Sequence, residues 1–115
     1  MPPTEAPQII NKPRDMRVLE DGSVHFFCQA SGMPAPTFTW ERDGNTIKSR
    51  KRNTRFKIID APYQSALKIS EVRSRRDNTT YTCKATNSLG DAEATAQLFV
   101  IPAVAGGRLF TSQEV

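Results

Sequence analysis

Short runs in which apolar and polar residues alternate, cut off by turn residues, limit this 115-residue chain more than any other feature. In "GSVHFFCQASG", Val24, Phe26, Cys28 and Ala30 alternate with His25, Phe27 and Gln29. In "PTFTWERDG", Phe38 and Trp40 alternate with Thr37, Thr39 and Glu41, and Asp43-Gly44 supplies a turn. "RFKII" sets Phe56 and Ile58 against Arg55 and Lys57, and "SALKISEV" sets Leu67 and Ile69 against Lys68 and Ser70. "TYTCKATN" and "AEATAQLFV" repeat the pattern with Tyr81, Cys83, Ala85 and then Ala94, Ala96, Leu98, Val100. A period of two puts successive side chains on opposite faces of a strand, and no segment sustains a helical period. The chain reads as all-β, with two antiparallel sheets packed face to face over the apolar set.

The length suits one domain with a single core. No apolar run approaches the length of a membrane span, so the sequence reads as soluble, with no direct membrane contact by this domain. Met1 is followed by Pro2, Pro3 and Pro7 without an apolar stretch, so the chain reads as a leaderless piece of a larger protein. Cys28 and Cys83 lie 55 positions apart, and the only histidine is His25. Neither cysteine has a second Cys or a His at metal-ligand spacing, which argues against zinc. The pair is either a disulfide or two buried thiols; a bridge closing so long a loop stabilises by roughly 4 kcal/mol in the chain-entropy account.

The inward set holds one Trp, twelve positions after Cys28, and a Tyr two positions before Cys83. The pattern Cys28…Trp40…Tyr81-x-Cys83 resembles the immunoglobulin fold, in which the Trp packs on an inter-sheet disulfide and the Tyr hydroxyl ties a corner to backbone. "DNTTYTC" and "ATNSLGDAEATAQL" are similar to the corner and the last hairpin of intermediate-set domains. The resemblance implies an immunoglobulin-like domain over residues 7–101, a flexible lead-in over 1–6 and a linker or tail over 102–115. It also implies a Cys28–Cys83 bond, structural roles for Trp40 and Tyr81, and an Arg55–Asp77 pair at the corner.

No catalytic set is visible. His25 points outward without a nucleophile beside it, no cofactor motif is present, and function in this fold lives on its surface. The chain reads as a non-enzyme. Its charge is unevenly placed: of a net +4, the stretch "KSRKRNTRFK" from Lys48 to Lys57 carries +6 and no acid, leaving −2 elsewhere. One member, Arg55, is assigned to the corner. Lys48, Arg50, Lys51, Arg52 and Lys57 remain, and "VRSRRD" adds Arg73, Arg75 and Arg76. A solvated, aggregation-suppressing strand edge would explain the first run alone. With Lys68 outward on an adjacent strand and the second cluster near the same end, a continuous basic surface is expected. Its ligand would be a polyanion held by charge-assisted hydrogen bonds. Nucleic acid is disfavoured, because only Phe27 and Phe99 are outward aromatics for base stacking.

"LKISEVRSRRDNTTYTCKATNSLGD" resembles the first immunoglobulin domain of the LAR-type receptor tyrosine phosphatases, as does "FCQASGMPAPTFTW". That resemblance implies an extracellular adhesion module of a cell-surface receptor that binds heparan sulfate, with Arg73 and Arg76 in the sugar site and Asp77 completing the motif. After the Trp, where those receptors carry a lysine-rich turn, this chain reads "ERDGNT", with only Arg42 matching. The second reading is an intracellular domain of a giant muscle or actin-crosslinking protein, with the basic surface binding actin and reduced cysteines. The sequon Asn78-Thr79-Thr80 favours the extracellular case as a glycan acceptor.

Overall fold

The computed structural model describes residues 3–48 and 55–102. Nine strands and one helical turn follow in chain order: β1 (Glu5–Asn11), β2 (Met16–Leu19), β3 (Val24–Met33), β4 (Thr37–Arg42), β5 (Asn45–Thr46), β6 (Phe56–Ala61), β7 (Gln64–Ile69), α1 (Ser74–Asp77), β8 (Thr80–Asn87) and β9 (Gly90–Ile101). They form a four-stranded sheet, β1-β3-β7-β6, and a five-stranded sheet, β2-β9-β8-β4-β5. This is the all-β sandwich that the alternation implies, with the immunoglobulin-like architecture that the Cys28…Trp40…Tyr81-x-Cys83 resemblance implies. Strand pairing begins at Glu5, inside the stretch read as a lead-in.

The strands bury the residues whose phase marked them as inward. Val24, Phe26, Cys28 and Ala30 of β3 face Trp40, Tyr81, Cys83 and Ala85 of the opposite sheet, and all are buried. Cys28 and Cys83 are bonded across the sandwich, with Cα atoms 6.4 Å apart. Trp40 pairs with Cys83 in the β4–β8 ladder, so its indole lies beside the bridge. Its Nε1 donates to Ser65 Oγ of β7 at 2.9 Å, which satisfies the one polar atom that a buried Trp carries. Phe26 and Tyr81 stack with ring centroids 5.2 Å apart.

The turns follow their residues. Asp43 and Gly44 both take positive φ, 49° and 82°, the conformation that a two-residue hairpin between right-twisted strands requires. Pro62-Tyr63 closes the β6–β7 hairpin with Tyr63 at φ 65°, and the Tyr63 carbonyl accepts the Ala30 N–H at 3.0 Å. That long-range bond holds a bulky residue in a conformation it would otherwise avoid.

Two features depart from the expectation. One ladder is parallel: β2 runs alongside β9, from Met16 opposite Leu98 to Leu19 opposite Ile101. β1 and β2 are one extended run broken around Pro13, which cannot donate to a ladder. The run changes sheets without changing direction, and Asp15 Oδ1 accepts the Gln97 N–H at 2.8 Å where it joins. The connection between β7 and β8 holds a single helical turn, too short to leave a periodic trace. Replacing both cysteines by alanine is expected to lower stability by about 2–5 kcal/mol in guanidinium unfolding, because the bridge closes a 55-residue separation.

Candidate functional site

Asp77 organises the basic end of the sandwich. It is fully buried, and its carboxylate accepts from Arg55 Nη1 at 2.7 Å, Arg55 Nη2 at 3.2 Å, Arg42 Nη1 at 3.2 Å and the Arg73 N–H at 2.6 Å. Its backbone carbonyl accepts the Tyr81 hydroxyl at 2.9 Å, closing the corner. Both guanidinium groups also lie over the Phe56 ring, Arg42 at 5.5 Å and Arg55 at 5.1 Å from its centroid. Arg55 donates further to the Glu71 carbonyl at 3.1 Å. The hydrogen bond to Asp77 raises the Arg55 pKa, against the lowering effect of desolvation. Burial, reinforced by the Asp77 charge, pushes the Tyr81 phenol up to about 12, against the opposing pull of Arg42 and Arg55.

Arg73, Arg75 and Arg76 lie on and before α1, and with Arg55, Ser74 and Glu20 they line a shallow concavity. Acids that the sequence did not connect to this region sit here. Glu20 Oε2 accepts the Ser74 N–H at 2.9 Å and the Ser74 hydroxyl at 2.8 Å, covering donors that the start of a helical turn leaves open. Asp21 lies 3.2 Å from Arg73, with both side chains exposed at 66% and 53%. Arg75 and Arg76 have no carboxylate within salt-bridge distance among the described residues.

Lys57 and Lys68 stand directly opposite each other across β6–β7 and point outward. Lys48 is exposed just beyond β5. Arg50, Lys51 and Arg52 lie outside the described residues. The described candidates thus fall in two places, the concavity with Arg73, Arg75 and Arg76, and the outer face of the four-stranded sheet with Lys57 and Lys68. Arg55 stands between them, with its carbonyl accepting the Ser70 N–H at the sheet end. Arg42, the residue matching the receptors' lysine-rich turn, is turned inward to Asp77 and donates to the Arg76 carbonyl at 3.2 Å. Sequence reasoning missed Glu20 and Arg42 as partners because they reach residues 54 and 35 positions away, where no local pattern operates. Asn78 is exposed, and its Oδ1 accepts the Val100 N–H at 2.9 Å.

Comparison with known proteins places this geometry in a family. The immunoglobulin I-set domain profile matches residues 7–100, and the chain belongs to that family. It is 39% identical over 97 residues to receptor-type tyrosine-protein phosphatase F of Homo sapiens, a match covering 83% of this chain and 5% of that protein. It is 36% identical over 87 residues to tyrosine-protein phosphatase Lar of Drosophila melanogaster, covering 75% of this chain and 4% of that protein. Telokin of Meleagris gallopavo is 41% identical over 87 residues, covering 75% of this chain and 54% of its own length. Among solved structures, the tandem Ig repeats of Dlar superpose with a TM-score of 0.77 at 33% identity, covering 84% of this chain and 48% of that one. An immunoglobulin domain of the titin M10–obscurin-like 1 complex superposes at 0.79 with 25% identity, covering 88% and 99%. The chain thus spans about a twentieth of the receptor phosphatases it matches, and the matched region is an immunoglobulin domain, a non-catalytic fold.

Asp77→Ala is expected to destabilise by about 3 kcal/mol in urea unfolding, the lower end for breaking a buried pair, because both guanidinium groups are partly exposed. Arg73→Ala should change stability by no more than about 0.5 kcal/mol, since its pair with Asp21 is solvent-screened. Tyr81 sets an alkaline limit. Its phenol keeps its proton in the folded state up to about 12, whereas the unfolded chain loses it near ~10. The stability it contributes is complete below the lower value and is lost as pH rises through that window. Tyr81→Phe should flatten this decline in a pH series of unfolding curves.

Proposed function

We propose that the chain is a non-catalytic binding and adhesion module of a cell-surface receptor, and that its basic surface seats heparan sulfate or a similar sulfated glycan. The observation that carries the reading is the outward cross-strand pair Lys57–Lys68, which, like Arg75 and Arg76 at the concavity, has no acidic partner among the described residues. Like charges directly opposite each other oppose sheet pairing, and a bound polyanion would relieve that repulsion. Arg50, Lys51 and Arg52 adjoin this surface in sequence and complete the set. The likeness to the receptor phosphatases supports the extracellular side of the reading. In that setting the exposed Asn78 is a glycan acceptor, and protein partners of the receptor are further ligands.

The telokin and titin likenesses support a second reading, an intracellular domain of the cytoskeleton or sarcomere whose basic surface meets actin. Electrostatics alone serves both, since each polyanion releases counterions when its charges are neutralised.

Charge reversal at Arg50, Lys51 and Arg52 together is expected to abolish retention on immobilised heparin at physiological ionic strength. Reversal at Arg73 and Arg76 should weaken it at least about tenfold. Wild-type retention should fall steeply with salt, and melting temperatures should hardly move. A triple variant that elutes at the wild-type salt concentration overturns the glycan seat. Co-sedimentation of the wild type with actin filaments, lost in the same variant, selects the intracellular reading.

A further inference from the structure

The outward residues of β3, β7 and β6 form rows across the four-stranded sheet. His25 stands opposite Lys68, and Lys68 stands opposite Lys57. The neighbouring row is apolar: Phe27 opposite Ala66, and Ala66 opposite Ile59, with Phe27 and Ile59 substantially exposed. On the β1 side, Lys12 and Arg14 share a concavity with His25, Phe27, Asn11 and Met16. The basic row therefore runs from Lys57 through Lys68 and His25, on three strands, to Lys12 and Arg14 just beyond the end of β1.

No acid interrupts it. The outward positions of these three strands are His25, Phe27, Gln29, Ser31 and Met33, then Gln64, Ala66 and Lys68, then Lys57, Ile59 and Ala61, and the acid Glu5 of β1 stands opposite Met33 at the far end from His25. On the β1 side the concavity contains no carboxylate. Asp15, the nearest acid in sequence, is turned to the other sheet, where it accepts the Gln97 N–H. None of Lys12, Arg14, Lys57 and Lys68 has a salt bridge among the described residues. Protection of a sheet edge accounts for Lys57 on the edge strand β6, but not for Lys68 and His25, which sit on the inner strands β7 and β3.

We propose that this face extends the basic surface into a band, Lys57–Lys68–His25–Arg14/Lys12, that takes a linear sulfated polysaccharide across the strands. The inference rests on the glycan reading above and adds three residues to it. Three interstrand steps span about 14 Å, so the band engages an extended chain rather than a single sulfate group. The apolar row alongside is a low-dielectric wall that concentrates the field of the cations. His25 stands between two pairs of cations, Lys68 and Lys57 on one side and Lys12 and Arg14 on the other, and its ring offers an N–H donor to a sulfate oxygen there.

The test titrates size-fractionated heparin oligosaccharides into the whole chain at physiological ionic strength. Two variants are compared with wild type: Lys12→Gln/Arg14→Gln and Arg73→Gln/Arg76→Gln. The band predicts that the first loses about fivefold in affinity for the longer oligosaccharides and less for the shortest. Unchanged binding by Lys12→Gln/Arg14→Gln overturns the band. If Arg73→Gln/Arg76→Gln weakens binding in that same experiment, the glycan reading stands without it. Absence of wild-type binding overturns both. Matching melting temperatures establish that each variant is folded.

Discussion

A single buried carboxylate holds together the end of the sandwich at which every functional proposal converges. Asp77 is fully buried, and it joins the end of β4 through Arg42, the start of β6 through Arg55, the backbone before α1 through the Arg73 N–H, and β8 through the Tyr81 hydroxyl. An ionised carboxylate in that position is tolerable only because each lone-pair direction finds a donor and the charge is more than balanced by two guanidinium groups. The excess positive charge leaves the corner electropositive before any surface arginine is considered. The same geometry commits Arg42 and Arg55 to Asp77, so the residues left to meet a ligand are those further along the turn and on the sheet.

The two outer faces differ in kind. On the five-stranded sheet, Thr39, Lys84 and Glu93 form one row and Thr37, Thr86 and Asp91 the next. Lys84 lies 3.8 Å from Asp91, and Thr80, Thr82 and Thr95 stand outward near them, so that face carries both signs and compensates its own charge. The four-stranded face carries cations along its Lys57–Lys68–His25 end, and its acid, Glu5 opposite Met33, stands at the far end. A field of one sign over a flat sheet attracts extended polyanions at long range, and salt screens it within about 10 Å. The contrast between the faces is thus more informative than the net charge of +4, which averages over both.

Much of the fold was legible because alternation, turn chemistry and the Cys–Trp–Tyr–Cys spacing are local or leave regular marks. Val24, Phe26 and Cys28 had to share a face, and Asp43-Gly44 had to turn the chain. The parallel pairing of β2 with β9 was not legible, because four residues of modest alternation do not state which strand they will join. The same limit applies to the site. Arg73, Arg75 and Arg76 announce themselves as a cluster, but Glu20 and Asp21 come to it from the far side of β3. The row His25–Lys68–Lys57 is assembled from three strands by register alone, and register depends on the whole sheet.

The bridge between Cys28 and Cys83 also determines what a protease can do to this domain. Lys48, Arg50, Lys51 and Arg52 are targets for enzymes that cut after basic residues, and all of them lie between the two cysteines. A cut there yields two chains that remain one covalent molecule, since β3 carries one sulfur and β8 the other. The arginines around α1 and the cations of the four-stranded sheet stay on that molecule together. Such a nick would separate on a gel only after reduction.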